Sequence, residues 1–177
     1  KNFILFIVYY FTINIFLFYM LEKLNKTDIE ILKLLQQNSN RTIKNIADLL
    51  GMTTTPVFDR IKKLEKRGYI SKYAAILDSK KLGLKLTVFA GIALKNHTRS
   101  YLEKFVKTIN GFPEVVECHR VSGNFDYLLK LVLVDIEDYE QFILTKLAVI
   151  TDLSNVQSYV ALSQSKSTNE VNLDHLI

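Results

Sequence analysis

Between Gly51 and Ile70 the chain reads GMTTTPVFDRIKKLEKRGYI, an order that few local structures can accommodate. Thr53 is suited to capping a helix start, and Pro56 is tolerated only within a first turn. Val57, Ile61 and Leu64 then recur at helical spacing, so one apolar stripe must face a core. Lys66 and Arg67 precede Gly68, a basic last turn followed by a glycine stop. Beyond Thr53, the opposite side carries Thr54, Thr55, Asp59, Arg60, Lys62, Lys63, Lys66 and Arg67. Short hydroxyls first and cations after them suit a helix that enters a DNA major groove by its N-terminus. A basic face on a lone helix is also what an ordinary solvated surface looks like.

The preceding residues favour the nucleic-acid reading. Thr42 can cap a short helix from Ile43 to Leu50, whose Ile46, Leu49 and Leu50 supply a partner stripe. Gly51 permits the sharp turn that follows. Asp28 to Gln36 adds a further helix with Ile29, Leu32 and Leu35 on one side. Three short helices with tight turns, the third cationic, make a helix-turn-helix unit over residues 20–70. From Arg60 to Lys72 six cations face the single Glu65, the local excess that phosphate contacts require.

The whole chain of 177 residues carries a net charge of +5 and can hold one large or two small domains. Its single cysteine, Cys118, excludes an internal disulfide framework and fits a reducing, cytoplasmic compartment. Residues 1–19 do not resemble the rest. Asn2 to Leu21 reads NFILFIVYYFTINIFLFYML, long and apolar enough for a membrane span. Its bias to Phe, Tyr, Ile and Asn, and Met20 just before the first helix, point instead to translated upstream sequence with a start at Met20. No small-residue cleavage site marks it as a signal peptide.

Residues 71–85 read as a linker with a short strand at Tyr73 to Leu77. The period changes from Leu86. LTVFAGIAL (86–94) is β-rich without strict alternation, as a strand covered on both faces would be. An amphipathic helix at Ser100 to Thr108, a strand at Val115 to Val121, the turn SGNFD and a strand at Tyr127 to Val134 follow. Asp135 opens a second helix, and Val156 to Leu162 closes as a strand. The order β-α-β-β-α-β is the ferredoxin-like arrangement, with both helices on one face of an antiparallel sheet. The chain is thus α+β, with the second unit at residues 86–163 and a polar tail at 164–177. Leu128, Val132 and Val134 point away from the face that holds Leu129, Leu131 and Leu133, so the outer face needs a cover. Sheet-to-sheet pairing in a two-fold homodimer supplies one, and sets two recognition helices against a pseudo-palindromic site on double-stranded DNA.

The stretches TDIEILKLLQQNSNRTIKNIADLLGMT, PVFDRIKKLEKRGYI and above all ECHRVSGNFDYLLK (117–130) resemble the Lrp/AsnC, or feast/famine, family of transcription regulators. The resemblance runs from about Leu24 to Leu162 and is greatest towards the leucine-responsive branch. It implies a ligand-sensing domain of the RAM or ACT-like type, dimers assembled into octamers or related rings, and leucine or another small amino acid as effector. By position it assigns the effector to Val121, Ser122, Gly123, Asn124 and Asp126 in the loop between the second and third strands, with Tyr159, Val160 and Ala161 in the last strand. Gly123 would let backbone amides approach a carboxylate, and Asp126 could pair with an α-ammonium. The same five-residue run is also an ordinary hairpin turn. Asn25 replaces the aspartate common before the first helix and caps equally well; Thr53 stands where serine is usual.

His97, His119 and His175 do not form a metal-spaced set with Cys118, and Cys118 and His119 are strand neighbours whose side chains diverge. No phosphate-binding glycine loop or zinc-protease helix is present, so neither a cofactor nor an enzyme is expected. On DNA, Thr54, Thr55, Arg60, Lys62 and Lys63 are the expected contacts, with Thr53 and Asp59 beside them. Arg60 can read a guanine or instead pair with Asp28 or Glu65. Two rival readings are an architectural DNA-binding protein without an effector and a membrane-tethered sensor that keeps residues 1–19.

Overall fold

The computed structural model describes residues 24–176; the apolar segment and the Met20 start lie outside them. Contacts divide the chain into two units, one reaching Ala75 and resuming at Thr168, the other Ile76–Ser167.

In the first unit, α1 (Lys26–Gln37), α2 (Ile43–Leu50) and α3 (Thr54–Lys66) enclose a small core. Each helix start has a local reason. At α1, the Asn25 side chain accepts the Asp28 amide at 2.9 Å while Asp28 Oδ2 accepts the Asn25 amide at 3.2 Å. This reciprocal box satisfies two amides that a helix start otherwise leaves open. Thr42 Oγ1 accepts the Asn45 amide at 3.1 Å and caps α2. Gly51 ends α2 at φ 63°, a left-handed turn that lets the Met52 amide reach the Ala47 carbonyl at 2.9 Å. Thr53 holds the extended N-cap backbone of α3, but its hydroxyl makes no capping bond, contrary to the role expected of it. Ile31, Ile46, Val57 and Leu64 are fully enclosed, each contributing about 1.5–3 kcal/mol by leaving water.

The tail belongs to this unit. Gln36 donates from Nε2 to the Val171 carbonyl and accepts the Val171 amide, both at 3.1 Å. Lys33 Nζ meets Asp174 Oδ1 at 3.1 Å, ahead of a short 3-10 turn at Asp174–Leu176.

The second unit contains β1 (Leu86–Leu94), α4 (Arg99–Ile109), β2 (Val115–Arg120), β3 (Tyr127–Leu133), α5 (Ile136–Phe142) and β4 (Leu153–Val160). The strands form one antiparallel sheet in the order β2-β3-β1-β4. The βαββαβ fold of the α+β class is therefore present. Val88, Ala90 and Ile92 of β1 and Leu129, Leu131 and Leu133 of β3 are fully buried beneath Phe105, Ile109, Phe142 and Leu147. α5 runs on as a π-turn, Ile143–Leu147, which carries Lys146 to Glu114 and Leu147 into the core. The Tyr139 hydroxyl hydrogen-bonds Ser158, fastening this helical layer to the edge strand β4.

Three expectations change. Tyr73–Leu77 is extended and exposed but is not a strand, because a strand needs a neighbour for its amides and none pairs with it among the described residues. β4 runs from Leu153 to Val160 rather than from Val156 to Leu162: it opens on the polar, exposed Ser154 and Asn155 and stops short of Leu162, which is fully exposed. β1 is fully covered on one face only: on the other, Phe89, paired across the ladder with Tyr159, is 36% exposed and Tyr159 48%.

On that outer face Gly91 is buried beneath the ring of Phe125, and a Cβ at Gly91 would lie 2.6 Å from a ring carbon. Gly91→Ala is expected to push the ring off the sheet, with a loss of about 1–2 kcal/mol from overpacking. Urea unfolding together with the Phe125 ring signals by NMR would show it; unchanged ring shifts would contradict this packing account.

Candidate nucleic-acid interface and effector loop

Opposite its buried Val57, Ile61 and Leu64, α3 exposes Thr54, Thr55, Phe58, Asp59, Lys62, Lys63 and Lys66. These positions advance by one and then by three, which keeps them on a single helical face. Thr53 is exposed just ahead of them. Hydroxyls occupy the start, an aromatic ring and a carboxylate the middle, and cations the end. The side chains of Lys63 and Lys66 make no ion pair or hydrogen bond among the described residues, so both can neutralise phosphates. Lys62 is less free: its Nζ lies 2.7 Å from Glu65 Oε2 and 5.7 Å from the centre of the Phe58 ring.

Arg60 stands apart from this face. Its Nη1 donates to Asp28 Oδ1 at 2.8 Å, and Asp28 is only 8% exposed. The second Asp28 oxygen is occupied by the Asn25 amide, so Arg60 joins α3 to the capped start of α1. Of the two roles open to Arg60, the pairing with Asp28 is the one formed. Tyr73 adds a second brace, donating its hydroxyl to Glu65 Oε1 at 3.0 Å. Burial and the Glu65 carboxylate raise that phenol to about 12, so it remains a donor throughout the neutral range.

Phe58 is absent from the expected contacts because apolar residues on a helix are usually core. The wheel could have shown it, since Phe58 falls between Thr54 and Lys62 on the polar side. At 43% exposure it is placed to touch a thymine methyl. Phe58→Ala is expected to cost about 1 kcal/mol on a preferred operator and little on scrambled DNA. Equal losses on both would leave the ring without a reading role.

The two halves of the expected effector set are not brought together within one chain. The loop of Val121, Ser122, Gly123, Asn124 and Asp126 is tied to the end of β1, with the Asp126 amide donating to the Ile92 carbonyl at 2.8 Å. Tyr159, Val160 and Ala161 lie near the beginning of β1, where Tyr159 faces Phe89 and the Ala161 amide reaches the Thr87 carbonyl at 2.9 Å. The separation is three to five residues, about 10–16 Å, on opposite sides of β1. Ser122, Gly123 and Asn124 are exposed, Gly123 at φ 120°. Asp126 is already engaged: Oδ2 accepts the Leu94 amide at 2.7 Å and Oδ1 meets His97 Nε2 at 2.9 Å. An α-ammonium would have to share it. On β2, Cys118 and His119 do diverge. Cys118 faces Leu129 on the helix side, and His119 shares the carboxylate of Glu117 with Lys130 on the outer side.

Residues 24–71 match the profile of a winged helix-turn-helix DNA-binding domain, and residues 87–171 that of the Lrp/AsnC ligand binding domain. The transcriptional regulator AzlB of Bacillus subtilis is 35% identical over 153 residues, which cover 86% of this chain and 98% of AzlB. The chain belongs to the Lrp/AsnC family. This Lrp/AsnC protein is also 35% identical to the leucine-responsive regulatory protein of Haemophilus influenzae, over 82% of its own length and 88% of the relative's. Among solved structures it resembles a transcriptional regulator of Neisseria meningitidis in complex with L-methionine, with a TM-score of 0.84 at 30% identity over 88% of this chain and 100% of that one. It is a DNA-binding transcriptional regulator with a ligand-binding domain, and not an enzyme. No helix among the described residues is long and apolar enough to cross a membrane.

Proposed function

We propose that this regulator binds promoter DNA as a homodimer within a larger ring, an octamer or a relative of one, and that a small amino acid held between dimers adjusts that binding. The observation that carries the reading is the exposed face of α3, with groove-sized hydroxyls and Phe58 ahead of the unpaired Lys63 and Lys66. Thr53, Thr54, Thr55 and Asp59 lie at the base edges, Lys62 and Lys63 towards the phosphates, and Arg60 behind them as a brace. Dimerisation through the outer sheet face would cover Phe89, Leu128, Val132 and Tyr159, and would offer two recognition helices to a pseudo-palindromic operator.

The effector contacts are those of the loop, Val121, Ser122, Gly123, Asn124 and Asp126, with Tyr159, Val160 and Ala161 supplied by a neighbouring subunit. Their separation along β1 supports an intersubunit site, since no single chain can close around a ligand with both sets. The Neisseria regulator was solved with L-methionine and the Haemophilus relative is named for leucine, so leucine is the first amino acid to try. The work is done on DNA and so in the cytoplasm.

Fluorescence anisotropy of the full chain tests this, using DNA from upstream of its own gene beside a scrambled fragment at one fixed salt concentration. Leucine and a panel of other amino acids are added in turn. Preference for the native fragment, shifted by one amino acid, is the expected result. Equal binding to both fragments, indifferent to every amino acid, would instead make the protein architectural.

A further inference from the structure

A groove of about 980 Å³ opens on the helix side of the sheet, at its β2 edge. It exists because α4 directs Phe105 and Ile109 into the core and leaves the inner side chains of the edge strand partly uncovered. One stripe of α4 forms a wall, with Leu102 and Val106 giving it an apolar, half-buried surface. The facing wall is Cys118 and Arg120 of β2, with Tyr127 directly across the ladder from Arg120. None of the eight residues of the proposed amino-acid site lines it, although His97, which does, pairs with Asp126 of the loop at 2.9 Å, so the two sites adjoin.

Cations outnumber carboxylates around that apolar wall. Arg99, Lys107 and Arg120 are opposed by the single carboxylate of Glu103. Glu103 is held by Arg99 at 2.7 Å, whereas the side chains of Lys107 and Arg120 make no ion pair or hydrogen bond among the described residues. The Cys118 thiol, pushed up by burial, adds no negative charge. Tyr127 is 3% exposed, with its ring 4.7 Å from that of Phe105, yet its hydroxyl has no hydrogen-bond partner among the described residues. Burial raises this phenol, so it stays protonated and able to donate. Tyr127 lines the groove with Arg120 directly across the ladder, so its hydroxyl is placed to donate to a ligand there.

An α-amino acid does not suit this lining. The carboxylates nearest an ammonium there, Glu103 and Asp126, are already held by Arg99 and by His97 with the Leu94 amide, which leaves it the neutral Asn110 amide and no unengaged carboxylate. We propose that the groove binds a small carboxylate with a short apolar body and no ammonium group, of the 2-oxo acid class. The carboxylate lies between Arg120 and Lys107 with the Tyr127 hydroxyl donating to it, and the aliphatic body lies along Leu102 and Val106. The regulator would then sense the deaminated form of an amino acid at one place and the amino acid at another.

Isothermal titration calorimetry of the full chain with 4-methyl-2-oxopentanoate, and separately with leucine, is the test. The oxo acid is expected to bind in the millimolar range or tighter. Arg120→Gln should weaken it about tenfold, and Tyr127→Phe, which keeps the ring packing, several-fold. Lys104→Gln on the same helix but outside the groove should leave it unchanged. Urea midpoints equal to that of the parent would establish that all three variants are folded. Absence of binding by the parent chain overturns the proposal, as does binding indifferent to both Arg120→Gln and Tyr127→Phe. If leucine competes for the same site and is lost with Arg120→Gln, the groove belongs to the amino acid and the oxo-acid assignment fails. An anisotropy response to leucine that survives Arg120→Gln keeps the proposed effector reading apart from this one.

Discussion

Arg60→Ala is expected to loosen the DNA-binding unit by about 2–3 kcal/mol before any effect on base reading is considered. The cost arises on the other side of the pair. Asp28 is 8% exposed and keeps only the Asn25 amide when the guanidinium is gone, so a carboxylate is left with half its partners at the start of α1. The full value for a dry pair does not apply, because a third of the Arg60 side chain faces water. Amide exchange in the three helices of the full chain should quicken together, while exchange in the sheet does not. Replacing Asp28 with Asn in the same chain removes the stranded charge and should restore part of the loss, making the double variant less damaged than the sum of its parts. If Arg60→Ala leaves exchange unchanged and lowers only affinity for one DNA sequence, the residue reads a base and the bracing role is wrong.

Removing Lys63 and Lys66 together is expected to have the largest effect on binding. Both are exposed and lack intramolecular partners, so nothing in the fold is disturbed by their loss. Each phosphate neutralised contributes about 0.9 to the slope of log K against log salt, so the double alanine variant should lower that slope by about 1.8. Near physiological salt the loss amounts to about ten- to a hundredfold, and it should be the same for operator and scrambled DNA. A loss confined to the operator would place these lysines at base edges. Lys62→Ala should do less, because Lys62 already shares its charge with Glu65 at 2.7 Å.

The helices were legible because their signals are local. Thr42 before an apolar stripe and Gly51 after it mark α2, and both ends follow from cap chemistry. β1 could be placed from its apolar run with Thr87, Val88, Phe89 and Ile92, whose partners only confirm it. β4 could not be placed as well, since it begins with a register shift around the polar, exposed Ser154 and Asn155, where apolar density gives no cue. Tyr73–Leu77 is apolar throughout and yet is no strand: Tyr73 and Ile76 favour one, Ala74 and Ala75 do not, and pairing is a property of two segments and not of one. The candidate sites divide in the same way. Which residues of α3 point outward follows from period alone, but whether Arg60 turns to a base, to Glu65 or to Asp28 depends on how closely α1 approaches. The loop residues are marked by composition, whereas the prior engagement of Asp126 by His97 and the Leu94 amide involves residues about thirty positions away.

The ring of Phe125 has two addresses. Its backbone belongs to the loop between β2 and β3, while its side chain fills the space above Gly91 on the outer face of the sheet. The loop therefore cannot change position without altering the surface offered to whatever covers that face. Such a shared residue makes the two events thermodynamically linked, with no need for a path of intermediates between them. If a ligand favours one setting of the loop, it changes the affinity of the sheet for its cover by some factor, and the cover changes the affinity for the ligand by the same factor. Ligand occupancy would then rise or fall with protein concentration alone.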